Sequence, residues 1–188
     1  CPSADYPTAA EKYLSTPERA EIRRQTDIYY QTQLHAKDNI LNLVENGVQV
    51  FCFCEYDIPM IDVGATWNTQ NADFIIQTDS TSMGAYFANC GETLPEDYVQ
   101  KNTYCSDPTH NHISPDRVVD ASAGLLPDQT FYFDGQRHDL TALNDIILKL
   151  ALNLIECDDI KDVYSLPEFP QFNIGRITSN VRIYMNQV

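Results

Sequence analysis

Ile113-Ser114-Pro115-Asp116-Arg117-Val118-Val119-Asp120-Ala121-Ser122, followed by Thr130-Phe131-Tyr132-Phe133-Asp134-Gly135-Gln136-Arg137-His138, is the part of the 188-residue chain on which its reading turns. The first segment is an acidic loop. The second is a short run of β-forming residues closed by Asp134-Gly135, with a histidine just beyond it. A loop carboxylate, a strand and a histidine past that strand's end are how the acid and base of a hydrolytic triad are presented at the edge of an α/β sheet. A triad also needs a nucleophile, and no convincing one precedes this pair. The sequence holds two thirds of a site.

Working outward, the residues after His138 predict a helix from about Thr141, with Leu143, Ile146, Ile147, Leu150 and Leu154 on one face and Ala151 on the same side. Far upstream, Val48-Gln49-Val50-Phe51-Cys52-Phe53-Cys54-Glu55-Tyr56 is almost continuously apolar, the pattern of a strand buried on both faces of a parallel sheet. Residues 1–47 read as helical. Thr16-Pro17-Glu18 supplies a cap, a first-turn proline and a first-turn acid, and Gly47 is a C-terminal stop. Residues 57–129 carry turn chemistry and are expected to be a long functional loop region, with brief apolar runs such as Phe74-Ile75-Ile76. The divisions are thus 1–47 helical, 48–56 core strand, 57–129 loop region with the acid loop, 130–155 last core strand and helix, and 156–188 tail, forming a single domain or half-domain. In the tail, Asn173 to Gly175 marks a turn and Val181-Arg182-Ile183-Tyr184-Met185 alternates like an edge strand.

Hydrophobic residues at 43% and charged residues at 21% place the chain with globular proteins. With 27 acidic against 12 basic residues the formal charge is −15, which argues against holding nucleic acid or anionic lipid by charge. There is no apolar run of the roughly 18 residues a spanning helix needs, so no transmembrane segment is expected. Any signal peptide is expected to have been removed or to lie outside this sequence.

The six cysteines have no zinc spacing, since the one close pair, Cys52 and Cys54, has a single residue between them inside an apolar run. Those two share a strand face and read as small buried hydrophobes. Cys90 and Cys105 bracket a polar loop. A disulfide there, worth about 3 kcal/mol on the loop-entropy model, competes with two free loop thiols. That bridge and the lack of zinc spacing favour an oxidising exterior, secreted or cell-envelope. His110 and His112, with Asp107 and Asp116 nearby, are ligand types for a metal, but no third ligand is fixed by spacing, so no metal and no cofactor are expected. Cys1 reads as a processed terminus, a lipid-modified cysteine, an arbitrary end, or an N-terminal nucleophile whose partners are missing.

The chain resembles the C-terminal half of an α/β-hydrolase of the bacterial lipase and esterase type. The resemblance rests on Gly47-Val48-Gln49-Val50 opening a core strand, on Ser114 to Ser122 as the acid loop, and on Phe131 to His138 as the last core strand with its histidine. It covers roughly residues 1–155, most strongly 113–155. It implies an α/β-hydrolase-like fold, the C-terminal part of its sheet with helices and a long loop insertion. It implies a carboxylic ester as substrate, Asp116 as the acid and His138 as the base. In that family the acid follows the penultimate core strand, the histidine follows the last, and the serine lies far upstream in a strand-turn-helix elbow. Neither the glycine-rich oxyanion strand nor the Gly-x-Ser-x-Gly elbow is present, so an upstream N-terminal half or partner chain is expected to carry the serine.

Alternatives stay open at each position. His138 reads either as the base or as an ordinary histidine capping a helix start after Gly135. Asp120 competes with Asp116 for the acid, though with Ser122 it could instead cap the following turn. Ser82, in Ser80-Thr81-Ser82-Met83-Gly84 between Phe74-Ile75-Ile76, read as a strand, and Ala85-Tyr86-Phe87, read as a helix start, has the chain order of a nucleophile but too little chain before Asp116. Trp67 is a candidate for substrate or lid contact, and Tyr29-Tyr30 and Tyr86-Phe87 are candidates to line an acyl pocket. The rival to a hydrolase is a binding or structural module on the same scaffold.

Overall fold

A computed structural model describes residues 16–61, 69–101, 112–137, 144–159, 162–163, 166 and 168–173. The chain divides into two compact units, Cys1–Val50 and Phe51–Val188. In the first, α1 (Thr16–Thr32) and α2 (Ala36–Glu45) follow one another across a short turn. Gly47, at φ 81°, ends α2 as expected: its N–H donates to Val44 O (3.0 Å) and that of Val48 to Leu43 O (3.0 Å), the paired bonds of a Schellman cap. No residue of α2 is buried, and Ile28, Tyr29 and Tyr30 of α1 are exposed.

The second unit is an α/β arrangement built on a parallel sheet. Its central strand is β6 (Thr130–Asp134), flanked by β1 (Cys52–Tyr56) and β7 (Phe172–Asn173), all parallel. Cys52 pairs with Thr130 and Tyr56 with Asp134, so β1 and β6 end side by side. Between β6 and β7 runs α4 (Asp145–Glu156), the helix a parallel return requires. Asn144 starts it, its Oδ1 accepting from Ile146 N (2.9 Å) and Ile147 N (3.3 Å).

Strand alternation divides the core. Phe131 and Phe133 pack with Phe51 and Phe53 against Ile147, Leu150 and Leu154 of α4, and Val163 and Phe169 close that cluster. Cys54, Tyr56 and Tyr132 face the other way, onto Ala85, Val118, Val119 and Ala121. This second cover comes from the stretch expected to be loop. It contains β2 (Ile58–Pro59), β3 (Asn71–Ala72), α3 (Thr78–Thr81), β4 (Tyr86–Phe87), β5 (Val119–Asp120) and a 3-10 turn at Ala121–Ala123. β2 pairs with β3 and β4 with β5, both antiparallel. A parallel sheet must be covered on both faces, and here short ladders cover one of them.

Three local expectations are corrected. The core strand opens at Cys52 and not at 48, because Val48 is drawn into the cap of α2 and is exposed. Phe74-Ile75-Ile76 is a turn: Asp73 Oδ1 accepts from Ile75 N (3.1 Å) and Ile76 N (2.8 Å), and the competition of a carboxylate for backbone amides stops extension. Ala85-Tyr86-Phe87 begins no helix, since Tyr86 and Phe87 pair with Asp120 and Val119. The expected strand 181–185 lies outside the described residues.

Phe131 is fully buried between strand and helix, whereas Leu152 is 58% exposed. Phe131→Ala should therefore lower unfolding free energy by about 3–5 kcal/mol, and Leu152→Ala should change it by about 0.5 kcal/mol or less, measured by urea denaturation.

Candidate functional site

The C-terminal ends of β1 and β6 bring the acidic turns and the start of the histidine loop to one edge of the sheet. After Asp134 the chain turns at Gly135 (φ 63°), whose N–H donates to Tyr56 O (2.7 Å). Gln136 is buried, and its Oε1 accepts from Asn144 Nδ2 (3.1 Å). This bond joins the residue after Gly135 to the cap of α4. His138, Trp67 and Cys105 lie outside the described residues. The signal for this tie was in the sequence, since an asparagine immediately before Asp145 is a helix-capping pattern.

Asp116 is half-buried and bonded on both oxygens. Tyr56 OH donates to Oδ2 (2.7 Å), while Oδ1 accepts from Val118 N (3.1 Å) and from the Ser114 hydroxyl. Arg117, next to it, holds φ 59°, the left-handed position of this tight turn. Asp120 is fully buried and more heavily engaged: Tyr98 OH (2.7 Å) and Lys101 N (2.8 Å) donate to Oδ2, and Ser122 donates to Oδ1 through its N–H (3.1 Å) and its hydroxyl. Asp120 caps the 3-10 turn.

Ser82 has no exposure. Its Oγ donates to Asp79 O (3.3 Å) and accepts from Ala85 N (3.1 Å), the geometry of a structural residue closing α3. A nucleophile must be reached by substrate, so this position does not suit one. The paired aromatics expected to line a pocket fall in different units. Tyr29 and Tyr30 belong to the first unit, while Tyr86 stacks on Tyr98 (5.6 Å between centroids) under Lys101 Nζ (3.7 Å), and Phe87 packs on Tyr56 and Tyr132. His112 is buried with its Nε2 3.3 Å from Asp128 Oδ1, and among the described residues no three metal-ligating side chains converge. Cys90 carries a free thiol, pushed up to about 11 by burial and by the charge of Asp57.

One acid that the sequence pattern did not single out is Asp73. It is fully buried, bridges to Ile58 just past the end of β1, and heads the turn described above. Phe74, after it, holds φ 92°, which a phenylalanine adopts only where its surroundings force it. Over the Phe74 ring, at 4.5 Å, lies the guanidinium of Arg137. The available signal was an aspartate heading an apolar triplet soon after a core strand.

Among the described residues no helix is long and apolar enough to cross a membrane. The chain matches no protein-family model, no curated protein and no solved structure.

Three tyrosines of this region are held protonated. Burial, then the hydrogen bond to Asp116, raises the Tyr56 phenol; burial and Asp120 raise Tyr98; burial dominates for Tyr132. The stability they contribute is fully present below the unfolded phenol value of about 10 and is lost progressively as pH rises from there through the raised folded values. In an alkaline titration followed by phenolate absorbance, these three should ionise only with unfolding. Early, reversible ionisation of all 11 tyrosines would contradict this packing.

Proposed function

We propose that this chain is the acid-and-base part of a serine ester hydrolase of the α/β type, working through an acyl-enzyme. His138 is the base: it takes the serine proton and returns it to the leaving alcohol, two steps suited to an imidazole neutral near pH 7. A carboxylate of the 57–129 excursion orients it, Asp116 on the sequence pattern. The serine and most of the oxyanion hole come from an upstream segment or partner chain, with Trp67 in reserve as a substrate contact and a secreted or envelope setting.

The observation that carries this reading is the Gln136–Asn144 tie. It joins Gln136, two residues before His138 in sequence, to Asn144, the cap of α4, just past the C-terminal end of the central parallel strand. Open α/β sheets bind their ligands in the crevice outside those strand ends. The partner finds support in α4, which is apolar on two sides: opposite the buried Ile147, Leu150 and Leu154 stand Leu148, Leu152 and Ile155, the last 79% exposed. A helix apolar all round belongs inside a larger body. The rival reading, a binding module on the same scaffold, draws on the burial of Ser82, which leaves this serine no part in a self-contained enzyme.

Fluorophosphonate labelling of the native protein, followed by intact mass of every chain, tests this. The label is expected on a serine upstream of this sequence, and His138→Ala should abolish both labelling and ester turnover with the circular-dichroism spectrum unchanged. Full activity in His138→Ala, or a well-folded sample that takes no label, overturns the proposal in favour of the binding module.

A further inference from the structure

We propose that the cleft between β3, α3 and β4 is a binding site for a neutral saccharide, an assignment that stands apart from the hydrolase reading and uses none of its residues. The cleft holds about 200 Å³, and its wall includes Gln70 and Asn71 at β3, Gln77 and Asp79 at α3, and Tyr86 and Asn89 at and after β4. Pockets that take drug-sized ligands run to about 300–1,000 Å³, so this one admits a single small ring.

Asn71 carries the argument. It is 7% exposed, and its Oδ1 accepts from Asp57 N (2.8 Å) and from Thr78 Oγ1 (3.1 Å). A backbone N–H can only donate, so the oxygen end of this amide is fixed there and the other end is the NH2 group. That Nδ2 meets no acceptor in the protein. Buried donors are nearly always paired, and one left over in the wall of a cleft calls for an oxygen supplied from outside.

The rest of the wall selects the class of ligand. Gln77 Nε2 donates to Gln70 Oε1, which leaves Gln70 an NH2 group to donate and Gln77 an oxygen to accept. Asn89 spends Nδ2 on Glu92 Oε2 (3.0 Å) and keeps Oδ1, and Asp79 brings a carboxylate. Donors and acceptors thus stand in one small wall. A hydroxyl donates and accepts through a single oxygen, and a sugar ring carries several of them. Other classes fit less well. None of the described residues that line the cleft is basic, and the chain's charge of −15 repels anions. A cation would meet one carboxylate among amides, with the Lys101 ammonium 3.7 Å from the Tyr86 ring. A flat base needs an open aromatic face, and the Tyr86 ring is taken up by Tyr98 (5.6 Å between centroids) and by Lys101.

The test titrates the methyl glycosides of glucose, galactose and mannose, and N-acetylglucosamine, at millimolar concentration into the isotope-labelled chain, followed by NMR of its backbone and side-chain amides. Glucuronate and spermidine serve as charged controls. At least one neutral sugar should shift the Asn71 side-chain amide together with the backbone amides of Gln77 and Asn89, and neither control should. Asp79→Asn and Gln77→Ala change an exposed and a half-buried side chain, so thermal unfolding should hold while each weakens the binding by about tenfold. Asn71→Asp keeps the oxygen that Asp57 N needs, removes the donor and should abolish binding; where it unfolds the chain, the other two variants decide. Cleft amides that no neutral sugar moves, shifts that survive Asp79→Asn and Gln77→Ala undiminished, or tighter binding of glucuronate or spermidine overturn the proposal.

Discussion

The parallel pairing of Cys52–Tyr56 with Thr130–Asp134 is the constraint on which the rest of this structure depends. Antiparallel neighbours can be joined by a two-residue turn, but parallel ones demand a crossover that returns the chain to the same end of the sheet. After β6 the chain meets this demand with α4. After β1 it uses 57–129, whose described residues contain one short α-helix and one 3-10 turn. That excursion covers the sheet face formed by Cys54, Tyr56 and Tyr132, and it does so with two small antiparallel ladders. Packing there is tight: a Cβ on Gly124 would lie 3.2 Å from Ser82 O and 3.2 Å from Ala121 O, so a side chain at 124 would force α3 and the 3-10 turn apart.

Such a cover makes few regular backbone hydrogen bonds, and carboxylates supply what a long helix would have supplied. Asp73, Asp116 and Asp120 each close a turn by accepting backbone amides. Two of them also hold tyrosine hydroxyls, Tyr56 and Tyr98. A buried amide left unpaired costs about 1–3 kcal/mol, so these acids matter first to the fold. Asp116 is bonded to Tyr56, the last residue of β1, and Asp73 bridges to Ile58 just beyond it. A turn that fixes a buried carboxylate for folding holds it in one orientation, set by the amides it accepts.

The regular elements were legible because each answers to a local signal. Continuous apolar character marked β1, β-formers ending at Asp134-Gly135 marked β6, a 3.6-residue period marked α4, and Gly47 marked the end of α2. The excursion was illegible because its strands are two residues long and are set by partners distant in sequence: Tyr86 and Phe87 are strand only because Asp120 and Val119 lie beside them. Ser82 shows the same limit. Its flanking small residues resemble a nucleophile turn, and only the packed structure shows the hydroxyl closed over by Asp79 and Ala85.

By itself the sequence determined the α/β class of the fold and its main strands and helices, because hydrophobic period and turn residues act over a few positions. Which carboxylate serves which partner was decided by tertiary structure alone. Asp116 faces Tyr56, Asp120 faces Tyr98, and the turn of Asp73 meets Arg137, since a hydrogen bond or a ring contact is a matter of a few ångströms in space and is indifferent to the 60 positions separating Tyr56 from Asp116.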